Sequence, residues 1–217
     1  MSPELVQSGE MAGALRIVLA ITLLSLIPAL LVAMTSFTRI IIVLSMLRHA
    51  LGMQETPPNM VLIGLALFLT LFTMLPVVEQ VGEKAVQPYL AEELPLQDAA
   101  KNAVAPLRGF MVRHTREQDL ALMVEIARAA PPASVEDIKL AHLVPAFMLS
   151  ELRTAFQIGF VIFLPFLLVD LVVSSILMSM GMLMVPPTII SLPLKVLMFV
   201  LIDGWGLVVR SLLGSFH

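Results

Sequence analysis

FQIGFVIFLPFLLVDLVVSSILMSMGMLMV, residues 156–185, holds a single charged side chain, Asp170. A helix needs about 20 consecutive, mainly apolar residues to cross a bilayer, and this stretch exceeds that. Inside lipid the backbone must satisfy its own hydrogen bonds, which a helix does within one segment. Three more apolar blocks lie outward from it, over residues 12–47, 60–78 and 189–213. The blocks at 60–78 and 189–213 fit one helix each. The first is too long for one simple span; the polar cluster Thr35, Ser36, Thr38 and Arg39 interrupts it, and Pro28 is placed to kink or divide it. The predicted fold is all-α and membrane-associated: long, broken helical hairpins, with hydrophobic helices over 12–78 and again over 143–213.

Composition agrees with that class. Of the 217 residues, 59% are hydrophobic and only 13% charged, and the mean hydropathy is +0.97. Soluble domains carry about 25% charged residues, so this chain could not cover a globular surface with polar groups. Lipid, or the apolar faces of other subunits, must stand in for water. Cysteine is absent, which removes disulfides, thiolate metal sites and a cysteine nucleophile. A net charge of −3 gives no reason to expect a nucleic acid partner. The first ten residues contain Glu4 and Glu10 but no Lys or Arg, unlike a secretory signal. Either the first hydrophobic segment stays in the mature protein or a signal was removed ahead of it.

Residues 79–142 differ from the rest: they hold seven Lys/Arg and ten Asp/Glu, against six of each elsewhere. Within them, Leu120, Met123, Val124 and Ala127 recur at i, i+3, i+4 and i+7, one stripe of an amphipathic helix stopped by Pro131 and Pro132. Ser134 followed by Asp137 resembles a capping box opening another short helix. The segment reads as a small, helical, acidic domain outside the apolar layer. Arg48 and His49 lie in the short loop between the first two blocks. The positive-inside rule puts that loop in the cytoplasm and the acidic domain outside, with both termini outside if all four blocks span.

Catalytic signatures are missing. The sequence has no HExxH, GxSxG, GxxxxGK[ST] or GxGxxG, and the four histidines (49, 114, 142 and 217) have no metal-ligand spacing. An enzyme is not expected, nor a cofactor or metal. Charges within apolar blocks carry more information, because an unpaired charge at membrane depth is costly. Lys195 and Asp203 are eight residues apart, about 12 Å along a helix, too far for a direct pair. Asp170 and Lys195, on successive apolar blocks, are better placed. Such a pair serves either an ion or proton pathway or, as the simpler reading, a buried bridge that fixes helix register or subunit contact. Glu151 and Arg153 form the polar lip of the third block, as a solvated helix end or an inter-subunit contact. Met178, Met180, Met182 and Met184 alternate around Gly181 and Leu183, with Pro186 and Pro187 closing the helix. Thioethers are flexible; the cluster is either a deformable plug or ordinary hydrophobic packing.

Four stretches, TSFTRIIIVLSMLRHALG (35–52), TPPNMVLIGLALFLT (56–70), ELRTAFQIGFVIFLPFLLVDLVVSSILMSMGMLMVPP (151–187) and SLPLKVLMFVLIDGW (191–205), resemble the FliP family. These are subunits of the flagellar type III export gate, related to SctR of virulence injectisomes. The resemblance runs from about residue 24 to 205. It implies a homo-oligomer, a ring of five, joined by FliQ-like and FliR-like subunits. It also implies strongly tilted helices that bury one another between subunits, so that a plain four-span topology would not hold. The location implied is the inner membrane within the flagellar basal body, with an extracytoplasmic, periplasmic domain. Exported unfolded polypeptides would pass through a channel narrowed by a methionine gasket. That role carries onto Met180, Met182 and Met184, with Met178 behind them and Leu183 where many relatives have another Met. The segments GLALFLT and VLIDGW are more similar to flagellar than to injectisome members.

The reading is therefore a pore-forming, non-enzymatic export-gate subunit. Its alternatives are the equivalent injectisome subunit, a small ion-coupled transporter using Asp170, Lys195 and Asp203, or a scaffold with no pore role.

Overall fold

The computed structural model describes residues 18, 21, 22, 24–26, 28–30, 32–132, 134, 135, 137–182 and 184–216. All the regular structure among them is helical: α1 (Phe37–Ala50), α2 (Asn59–Val81), a π-helical turn (Gly82–Val86), α3 (Gln87–Leu90), α4 (Leu96–His114), α5 (Glu117–Ile126), α6 (Leu140–Ser179), α7 (Pro187–Leu201) and α8 (Gly204–Gly214). The described residues from 18 to 33 are also helical, those around Pro28 included, and up to Val32 they are exposed. The first block therefore breaks at Met34–Ser36 and not at Pro28. There Thr38 and Thr35 donate their hydroxyls to the Val32 carbonyl at 3.4 and 3.3 Å, so the polar cluster supplies the hydrogen bonds that the broken backbone loses.

Short α1 is the centre of the molecule. Ile40, Val43, Leu44, Leu47 and Leu51 are fully buried at helical spacing. They meet Leu62, Ala66 and Leu69 of α2, Ala155 and Phe166 of α6, Phe199 of α7, and Val208 and Leu212 of α8. A second cluster joins Met74 and Val77 at the far end of α2 to Phe110 and Met111 of α4 and to Ile138, Leu143 and Phe147. Helices α2 and α6 thus run through both clusters, and the charged segment packs on their ends. At 40 residues α6 is about 60 Å long, twice the hydrocarbon thickness of a bilayer. It begins 16 residues before the apolar block does. Glu151 and Arg153 consequently lie inside a continuous helix, not at a helix end.

Around Gly159 the two central helices approach closely. A Cβ there would lie 2.3 Å from the Met46 sulfur and 3.2 Å from the Met46 Cβ. The flexible thioether can swing away; the Met46 Cβ cannot without moving α1. Gly159→Ala is expected to lower stability by about 1–3 kcal/mol in spite of alanine's better helix propensity. Adding Met46→Ala should restore part of the loss, a pattern that thermal unfolding of the detergent-solubilised variants would check.

Two helices, Asn59–Leu90 (α2 through α3) and Leu140–Ser179, are long and apolar enough to cross a membrane; α7 and α8 make a third if the 67° bend between them belongs to one span. The outer faces of α2 (Met60, Phe68, Phe72) and α6 (Phe160, Leu168, Val172) are exposed apolar surface. Water does not suit so large an apolar patch.

Candidate functional site

The site begins where α6 stops. The N–H of Met182 donates to the Leu177 carbonyl at 3.0 Å and that of Gly181 to the Met178 carbonyl at 3.0 Å. With Gly181 at φ +75, these two bonds form the Schellman motif, which needs a left-handed residue just past the helix. A glycine therefore ends the helix at Ser179, earlier than the proline pair read from sequence. Pro187 instead occupies the first position of α7, where a missing N–H costs nothing. The turn turns its thioethers away from the chain: Met178 is 67% exposed, Met180 66%, Met182 41% and Met184 96%. Leu183 lies outside the described residues.

Behind this turn, α6 is tied to three of its neighbours, α1, α5 and α7, by polar bonds. Toward α1, Arg39 grips Glu151 with both arms of its fork, Nε donating to Oε2 at 2.8 Å and Nη2 to Oε1. Both residues are essentially inaccessible. The remaining arm, Nη1, donates to the Ser215 carbonyl at 2.7 Å and its hydroxyl at 2.9 Å. Toward α5, Arg153 pairs with Asp119 at 3.1 Å, and the Ser150 hydroxyl donates to the same carboxylate at 2.7 Å. Toward α7, Lys195 donates to Asp170 Oδ2 at 2.6 Å and to the Ala50 carbonyl, the last residue of α1, at 3.2 Å. Asp170 Oδ1 is buried without a hydrogen-bond partner.

Asp203 is not part of this network. It is exposed and occupies the left-handed region at the bend before α8 (φ 51, ψ 52), a conformation Asp tolerates better than most residues. Its carboxylate folds over Gly206, where a Cβ would lie 2.3 Å from Oδ2. A negative charge at the positive end of α8 is favourable, which explains an acid at this place without a cationic partner. Arg153 is only half-buried, its side chain 45% exposed. Ser134 does not open a helix: its hydroxyl donates to the Asp137 carboxylate at 2.9 Å, and the described residues around it form turns. Sequence reading missed Asp119 and Ser150. Asp119 sits one position before the Leu120 stripe, on its buried side, and an apolar count passes over an acid there.

Among the described residues, no three His, Cys, Asp or Glu side chains converge on a position for a metal ion. The polar groups face one another inside the chain, and the methionines and apolar helix faces point outward. That division defines a membrane-associated helical protein whose buried charges pair with one another and whose apolar outer faces suit lipid or neighbouring chains.

The chain belongs to the FliP family of flagellar biosynthesis proteins, whose family model matches residues 20–212. It is similar to the flagellar biosynthetic protein FliP of Bacillus subtilis (strain 168), 52% identical over 207 residues, which are 95% of this chain and 94% of that protein. The FliP of Pectobacterium carotovorum subsp. carotovorum is 52% identical over 197 residues (91% of this chain, 76% of that protein). That of Aquifex aeolicus (strain VF5) is 46% identical over 215 residues (98% and 90%).

Proposed function

We propose that the chain is a pore-forming core subunit of the flagellar type III export gate. In this reading a ring of copies, five by the family pattern, assembles with FliQ-like and FliR-like subunits in the bacterial inner membrane at the flagellar basal body. Residues 79–142 face the periplasm. Unfolded flagellar polypeptides pass through the ring and are held back at rest by methionines. The observation that carries it is the turn around Gly181, which leaves the thioethers of Met178, Met180, Met182 and Met184 exposed to between 41% and 96%. A ring of such side chains excludes water and ions by closing on itself. It yields to a passing chain without breaking specific hydrogen bonds.

The flagellar form is favoured over the injectisome form because the similar proteins are flagellar biosynthetic proteins. A transporter built on Asp170, Lys195 and Asp203 finds less support. Lys195 and Asp170 hold each other, and Asp203 stands apart at the bend.

The test is ion leak across cells that express the chain with its partner subunits, with Met180, Met182 and Met184 replaced by alanine and assembly checked by native mass. A several-fold rise in leak with assembly intact is the expected result. An unchanged leak with intact assembly would return these methionines to ordinary packing and remove the seal.

A further inference from the structure

Ser215 and Phe216, just past α8, are wedged into the centre of the molecule. Phe216 packs against both core clusters, and among the described residues no other partly buried side chain flanks the two. Its ring lies under the Arg39 guanidinium, 3.8 Å from carbon to centroid. On the other side it meets Phe110 and His114 of α4, at 6.3 and 5.5 Å between centroids. His114 Nε2 lies 3.4 Å from the Phe216 carbonyl oxygen. The preceding residue, Ser215, accepts both hydrogen bonds of Arg39 Nη1. One dipeptide thus touches α1, α4 and, through Arg39, the buried Glu151 of α6.

We propose that Ser215–Phe216 is a latch that holds α8 against α1 and α4 and couples the apolar hairpin α7–α8 to the charged segment. Without it, Arg39 keeps Glu151 but loses every acceptor on its third arm and the ring face beneath it. A buried guanidinium left with unsatisfied donors admits water or shifts. Among the described residues nothing else polar fixes the end of α8: Arg210 and Ser211 on its last turns are exposed. Val208 and Leu212 already seat α8 in the α1 cluster; Phe216 adds a contact whose far side is α4. The two clusters share α2 and α6, each a continuous helix. Phe216 is the point where a movement of α4 would be passed to α8. The inference stands on contacts within one chain and does not require the methionine seal.

The test is hydrogen exchange by mass spectrometry on the full chain in detergent, comparing wild type, Phe216→Ala and Phe216→Leu. Phe216→Ala should speed exchange about tenfold in α8 and at the His114 end of α4 together, with α2 and α5 unchanged. Phe216→Leu keeps apolar volume but loses the ring face offered to Arg39, and should give a smaller rise in the same two places. A rise confined to the residues after Leu212, or one spread evenly over all helices, would overturn the latch. So would Phe216→Leu behaving as wild type, since the ring would then be mere filling. If Phe216→Ala does not fold, the leucine variant alone decides.

Discussion

Replacing Glu151 by alanine is expected to destabilise the protein by about 3–5 kcal/mol. Glu151 accepts two of the hydrogen bonds of Arg39 in a position that neither water nor lipid reaches. Its removal strands a guanidinium between α1 and α6, with only the Ser215 oxygens left to receive it. Desolvating a charge is costly, and the pair compensates for that only while both members are present. A single truncation therefore costs more than the pair contributes.

That asymmetry gives the prediction its control. Arg39→Met combined with Glu151→Leu removes both charges and keeps the volume, so most of the penalty should vanish. It should not vanish entirely, because the Ser215 carbonyl then loses its donor, a residual cost of about 1–3 kcal/mol. The measurement is urea unfolding in detergent micelles, followed by the fluorescence of Trp205, the chain's single tryptophan, which packs edge-on against Phe199. A double variant as unstable as Glu151→Ala would mean that Arg39 is needed for more than this ion pair. A single variant close to wild type would mean that the site takes up water freely.

The features legible in the sequence share a cause. A bilayer-length apolar run, or a period of 3.6, is a repeated signal that survives local irregularity. Helices α2 and α6 and the inward residues Leu120, Met123 and Val124 of α5 were therefore readable. Ala127, the fourth of that stripe, is exposed just past the helix end, and the block read as one helix over 189–213 is two, α7 and α8, bent by 67° at Ile202–Asp203. Points where polar groups satisfy one another across space were not. Residues 140–155 contain His142, Ser150, Glu151 and Arg153, so they look like a hydrophilic approach to a span. In the fold, Ser150 and Glu151 are completely buried, because Asp119 and Arg39 come from distant parts of the chain to meet them. The helix end at Gly181 was obscured by the prolines that follow. A left-handed glycine ends a helix as firmly as a proline does, but its effect shows in backbone angles and not in a run of residue types.

The second large effect concerns Lys195, buried between α7, α6 and the end of α1. Asp170→Ala is expected to cost about 3 kcal/mol or more, because it leaves an ammonium with the Ala50 carbonyl as its only partner. Asp170→Asn should be much milder: the amide oxygen can still accept from Nζ, and only the charge is lost. The informative variant is the exchange, Asp170→Lys with Lys195→Asp. If charge pairing alone mattered, the exchange would restore stability. The geometry predicts that it will not. The Ala50 carbonyl faces position 195, so a carboxylate there would meet an acceptor at the negative end of α1. Arg48 and His49 in the last turn of that helix do not offset this, since Arg48 is turned to Asn59 and the Pro57 carbonyl. Thermal unfolding of the three variants separates the possibilities. Rescue by the exchange would reduce the site to a simple ion pair, whereas failure beside a tolerant Asp170→Asn identifies Lys195 as the bolt that joins α6, α7 and the C-terminus of α1.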